Sequence, residues 1–342
     1  MFGSGPFGSA PFGDVFDDLA FASTSDILQK IVTIWMDEKK LSSLPARLHH
    51  YTSLDTAQKI LEKDDVRLSH AEYSNDQMEM EQAKRVIAET LETLVQQSQQ
   101  QPASDFLVAV QKEYLQLAPN LDAYIFCMSE GDQNSAKVQD RLSQWRAYGQ
   151  DGRGVCLTLD ASKLAHLVYY TPGLRINPVI YDRSKQFAFV NAIVSEGLNL
   201  NQAGNQSAIT ATVGALVFAT PLMKAPGFSE EREWRLLFMP PAVDPSPRLE
   251  FHPRRDFLAP FLRLQYIWND LGPQLASNQN LRPHPPLNVT RPTGKPLLPI
   301  EGVMVGPSGH QPLNLRAMTK LLKQTSWQVT PDTSDIPYRS IA

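Results

Sequence analysis

The sequence predicts an α+β fold, on three observations. From residue 45 onward, short strand patterns recur between amphipathic helical ones. Hydrophobic residues make up 42% and charged residues 20% of the 342, an ordinary globular balance, so most of the chain should fold. No repeat of solenoid length is visible beyond Phe-Gly units at the N-terminus.

The opening "MFGSGPFGSAPFGDVF" cannot form a core of its own, so residues 1–22 read as a flexible tail whose phenylalanines offer a docking point for a partner protein. Ile27, Leu28, Ile31, Ile34 and Trp35 at helical spacing place a helix within 23–44. Residues 45–342 then read as one domain. Residues 48–51 suggest a short strand, and Thr52 with Asp55 resembles a capping box before the stripe Leu54, Ala57, Ile60 and Leu61. A strand near 66–68 leads to a long helix after Ser74, and a second helix covers 104–117. The alternation in "DAYIFCMSE", 122–130, predicts a strand that delivers Ser129 and Glu130 to a loop. "VQDRLSQWRAYGQDGRG" predicts a helix ended by Gly149, followed by a strand over 155–159. Strand patterns follow at 166–171 and 178–181, and helical ones at 183–197 and 207–223. "FSEEREWRLLFMP" enters a strand whose charges give way to an apolar run. The proline-rich stretch 270–296 reads as a loop insertion. Strand "IEGVMVGP", helix 313–324 and strand "WQVTPD" close the chain.

A net charge of −4 lacks the broad positive field of a nonspecific nucleic-acid binder. Two cysteines, Cys127 and Cys156, are too few for a disulfide framework or a cysteine-rich zinc site, which points to free thiols and a cytoplasmic setting, with no metal. The apolar run 208–223 is too short to span a bilayer and reads as a buried helix. Walker, Rossmann, HExxH and Gly-x-Ser-x-Gly patterns are absent.

Four local signals carry chemistry, each with a plain structural alternative. On a strand, His50 shares a face with Thr52, while His49 and Tyr51 share the other; a buried tyrosine beside a solvated histidine suits the same pattern. Trp145 and Tyr148, three apart on a helix, suit stacking of a flat heterocycle or simple core packing. In strand geometry Glu231, Glu233 and Arg235 project to one side. Two like charges there call for Arg235, a ligand or a shifted pKa to offset them, making the carboxylates site candidates. In "SNDQMEMEQ", Asn75, Asp76 and Glu79 cap and open a helix.

Taken together, "LHHYTSLDTAQKIL", "RLSHAEYSND", "YIFCMSE", "SQWRAYGQDGRGVCLTLD", "FSEEREWRL", "GVMVGP" and "SDIPYR" resemble the successive motifs of the bacterial domain-of-unknown-function family 2971. That family in turn resembles the ADP-ribosyltransferase superfamily of the His-Tyr-Glu kind. The resemblance implies a split antiparallel sheet of short strands surrounded by helices. It also implies cleavage of NAD and transfer of ADP-ribose to a protein, nucleic-acid or small-molecule acceptor, in a toxin or phage-defence role. In this likeness His50 or His49 holds a ribose hydroxyl, with Thr52 beside it, and Tyr148 or Tyr51 stacks on nicotinamide near Trp145. Ser143 contacts nicotinamide, Glu233 stabilises the oxocarbenium-like charge with Arg235 as its neighbour, and Glu231 activates the acceptor. The alternative on the same fold is a non-catalytic nucleotide or nucleic-acid binding module.

Overall fold

The structure, a computed structural model, describes residues 44–73, 77–98, 103–132, 134, 137–169, 173–240, 248–254, 256–271, 297–325 and 327–337. The expected tail 1–22, the helix expected within 23–44, Asn75, Asp76 and the proline-rich insertion over 272–296 lie outside the described residues.

Ten strands form one mixed sheet: β1 Arg47–Thr52, β2 Arg67–His70, β3 Tyr124–Glu130, β4 Val155–Asp160, β5 Leu174–Pro178, β6 Glu233–Phe238, β7 Glu250–Pro253, β8 Leu258–Arg263, β9 Ile300–Val305 and β10 Pro331–Thr333. All recorded strand pairings are antiparallel except β9 with β10, which is parallel. β6 pairs with β3 from Tyr124 to Ser129 along one edge. The opposite edge of β3 is shared, with β1 at Ser129 and Glu130 and β2 at Tyr124 and Ile125, so β1 and β2 part around its middle.

Helices α1 Leu54–Lys63, α2 Gln77–Gln97, α3 Ala103–Leu117, α4 Leu142–Ala147, α5 Ala161–Tyr169, α6 Arg183–Gln202, α7 Ala208–Ala219 and α8 Gln311–Gln324 cover both faces. Alternation along the strands decides which residues face which layer. Ile125 and Leu237 face α2, α3, α6 and α7; Leu48, Phe126, Leu157, Trp234 and Leu236 face α1, α5 and α8. α7, apolar all round, is buried as its composition demands. No described helix is long and apolar enough to cross a membrane.

Several local expectations change, among them the strand expected at 178–181, which is instead β5, ending at Pro178. The cap of α1 is Ser53, whose hydroxyl accepts from Thr56 N, rather than Thr52, which continues β1 into the sheet. Of the strand pattern expected at 166–171, the described residues up to Tyr169 form the end of helix α5, because Ala161, Leu164 and Val168 recur at helical spacing and bury one face. The hairpin β7–β8 is absent from the sequence reading, since β7 is largely exposed and carries no apolar alternation.

Asp64 ends α1 in the left-handed conformation at φ 52° and is buried. Its carboxylate accepts from Leu297 N at 2.6 Å and Leu298 N at 3.0 Å, tying the chain after the proline-rich segment to the α1 turn. Asp64→Ala is expected to cost about 1–3 kcal/mol, because two enclosed N–H groups lose their acceptor. Asp64→Asn should retain part of this, since Asn tolerates the left-handed region and keeps one acceptor. Urea unfolding of the two variants, with Ala no worse than Asn as the contrary result, checks this.

Candidate functional site

The register across β1, β3 and β6 builds the site. His49 stands opposite Ser129, and Ser129 opposite Glu233, so the three side chains form a row on one face of the sheet. At usual antiparallel spacing the outer two Cα atoms are about 10 Å apart. The next row sets Cys127 opposite Arg235 and Arg235 opposite Asn177. This face meets α2, α3, α6 and α7 at one end and α4 with its preceding loop at the other, and the polar row lies at the seam between them.

Glu233 is 6% exposed and fully engaged. Arg235 Nε donates to its Oε1 at 2.8 Å and Nη2 to its Oε2 at 3.0 Å, while Lys224 Nζ donates to Oε2 at 3.3 Å. Burial pushes the carboxyl up, but the Arg235 charge and hydrogen bonds, with Lys224 and the Cys127 thiol, outweigh it and hold Glu233 at about 2. Arg235 also donates to Glu79 on α2 and to the Pro221 carbonyl. Burial opposes its charge, yet Glu233 and Glu79 raise it well above the ordinary value. The backbone N–H of Glu233 donates to the Tyr181 hydroxyl at 2.9 Å.

Lys224 follows the 3-10 turn after α7 and is buried. Its ammonium sits 2.7 Å from Glu231, 3.3 Å from Glu233 and 3.3 Å from Glu79. Desolvation works to neutralise it, but the charges of Glu233 and Glu79 and the bond to Glu231 prevail and raise its pKa. Three carboxylates thus surround two cations, leaving one formal negative charge. At the rim, Tyr148 donates to Glu231 at 2.7 Å and Lys224 lies 4.8 Å from the centre of the Phe228 ring. Tyr148 is 37% and Phe228 38% exposed, so two aromatic edges mark where the cluster reaches water.

The expected site residues separate into two groups. Glu233, Glu231, Arg235 and Tyr148 come together. Glu231, expected in the strand, instead ends the 3-10 turn Pro226–Glu231; Arg232 at φ 46° reverses the chain, which is what lets Glu231 and Glu233 share Lys224. His50 lies on the other face, against Phe126, and its Nδ1–H donates to the Cys127 carbonyl at 2.8 Å where β1 and β3 part. Burial lowers its pKa to about 4. His49, the alternative, shares the Glu233 face. Its Nδ1 pairs with Thr158 Oγ1 at 3.2 Å and its Nε2 has no partner. Burial first, then Arg47 and Arg141, lowers it to about 4.

Trp145 and Tyr51 lie apart from the charged cluster, in a small core. Trp145 is fully buried and meets Tyr51 edge to face at 4.9 Å between ring centres, with Cys156 and Met304 completing a small core. Neither ring has a free face for a ligand, because this end of the sheet lacks other large apolar cover. Thr52 is buried in β1, and Ser143 is half-buried on α4, two residues beyond Arg141. Arg141 donates to the Glu230 and Glu130 carbonyls, joining the ends of the Glu231 turn and β3.

Sequence reasoning missed Lys224, Ser129 and Cys127 as members of the site, and read Glu79 only as a first-turn residue. The signal for Lys224 was present: it is the first charge after the apolar run 208–223. A cavity of about 420 Å³ lined by Glu72, Tyr73, Met80, Glu81, Lys84, Pro119 and Phe257 contains none of the expected residues. Its Lys84 is satisfied by Glu72 at 2.7 Å and Glu81 at 3.1 Å, leaving no unpartnered charge to recognise a ligand.

No curated protein and no solved structure matches the chain. A family model does match, over residues 144–236, just over a quarter of the chain. The other resembling motifs, at 48–61, 67–76, 124–130, 302–307 and 334–339, fall outside that match, and with them His49, Glu79 and Ser129. From Trp145 on α4 to Arg235 on β6, across Tyr148, Lys224, Glu231 and Glu233, the chain is therefore similar to the family described as a protein of unknown function, DUF2971.

Proposed function

We propose that this chain is an ADP-ribosyltransferase-like enzyme that cleaves NAD at the nicotinamide–ribose bond and passes ADP-ribose to an acceptor. The single observation that supports this reading most is the row His49, Ser129 and Glu233 in register on one sheet face. In this proposal Glu233 stabilises the positive charge that develops on the ribose, as a preorganised carboxylate does. Held at about 2, it is ionised at any working pH and acts by its charge. His49 takes the ribose-holding role, because its side chain shares the face of Glu233 and its Nε2 is unused. Glu231, at the rim with Tyr148, is the more accessible carboxylate and receives the acceptor's proton. The family match supports neither NAD nor transfer, and these rest on the chemistry of the row.

Nicotinamide release from NAD, followed by chromatography, is the test. Glu233→Gln should lower turnover by about 10²–10³-fold, the scale of losing one preorganised electrostatic contact. His49→Ala should impair release while His50→Ala acts on stability. The reading fails if the natural chain releases no nicotinamide above the Glu233→Gln background.

A second reading is supported by the engagement of both Glu233 oxygens: a nucleotide-binding module without turnover. It predicts that ADP-ribose or NAD raises the melting temperature, by about 2.7 kcal/mol of added stability at 100 times Kd, with no nicotinamide released.

A further inference from the structure

Both oxygens of Glu233 are already engaged by Arg235 and Lys224. The two cations differ in how they are held. Arg235 is 1% exposed and anchored by Glu79, Glu233 and the Pro221 carbonyl, so it is part of the frame. The Lys224 side chain is held through its ammonium, on a four-carbon stem whose end lies over the exposed Phe228 ring and shares Glu231 with the Tyr148 hydroxyl. Removing its charge would change the cluster from one net negative charge to two.

We infer that Lys224 is an internal plug: its ammonium occupies the place of a flat organic cation of the pyridinium kind, which displaces it on entering between Tyr148 and Phe228. The carboxylates Glu79, Glu231 and Glu233 supply three acceptors on one side of that place, and the Phe228 ring supplies a face of the kind a cation prefers. A second observation points to the same side of the sheet: His49 Nε2 is buried, unpartnered and on the Glu233 row. Since the ammonium is held protonated by its three carboxylates, Lys224 is an occupant and not a nucleophile. This inference rests on the proposed function and names what it leaves open, namely what must leave before the charged nicotinamide ring of NAD can enter.

The test uses the full chain and Lys224→Met, titrated calorimetrically with the N-methylnicotinamide cation and with neutral nicotinamide, two rings of similar shape and different charge. Lys224→Met should bind the cation at least tenfold more tightly than the natural chain, with the neutral ring gaining far less. Unchanged or weaker cation binding overturns the inference, as does an equal gain for both rings, which would mean added space and not charge. Should Lys224→Met fail to fold, reductive methylation of the natural chain decides. Lys224 should react severalfold faster with the cation present, and an unchanged rate overturns the plug. Nicotinamide release without these effects sinks the plug alone; these effects without release sink the enzymatic reading and leave a cation site.

Discussion

Urea unfolding of Arg235→Met is expected to show a loss of about 3–5 kcal/mol, the largest single-residue effect in the domain, because removing one member of a buried ion cluster strands the others. Glu79, Glu231 and Glu233 would be left with Lys224 alone, and the Pro221 carbonyl would lose its donor. A change of about 1 kcal/mol or less would show that water or a rearranged lysine satisfies the carboxylates. Adding Glu79→Gln should restore part of the loss, since it removes one of the stranded charges. The two effects should be non-additive by about 0.5–3 kcal/mol, as for residues in direct contact.

The second large effect is on acid stability. His49 and His50 are both held neutral at about 4, against 6.5 for an ordinary histidine, chiefly by burial. Between pH 6.5 and 4 the unfolded chain therefore binds protons that the folded chain refuses, so stability falls as pH drops through that window. For fully buried His49 the loss reaches at most about 3 kcal/mol; the partly exposed His50 contributes less. Glu233, lowered to about 2 from 4.5, adds a further loss from pH 4.5 downward, as its paired carboxylate becomes protonated. Unfolding midpoints at pH 7 and pH 5 should differ clearly for the natural chain and by less for His49→Gln. Equal differences would mean that the imidazole titrates in the fold as it does in water.

The sheet frame was legible because local patterns and tertiary demands agree. The alternation in 122–130, the solid run after Glu233 and the apolar helix 208–219 each describe a face that must be buried. Where the two diverge, the sequence misleads. The turn Pro226–Glu231 carries charges spaced like a strand, and the αL residue Arg232 alone converts that spacing into a reversal. Trp145 and Tyr148 sit three apart on paper as equals, yet one closes a core and the other stands at the rim.

The sequence by itself determined which side chains share a strand face: the period of two separates His49 from His50 and places Glu233 with Arg235, whatever the strands pair with. Only the tertiary structure decided which histidine shares a face and a row with Glu233, because that depends on β1 lying in register beside β3 and β3 beside β6. The same holds for Glu79, which reaches Arg235 from a helix distant in sequence, while Lys224 reaches Glu233 across the turn that precedes β6. Charges separated by a hundred residues leave no mark on local periodicity, and their attraction acts only once the sheet and α2 have brought them within contact.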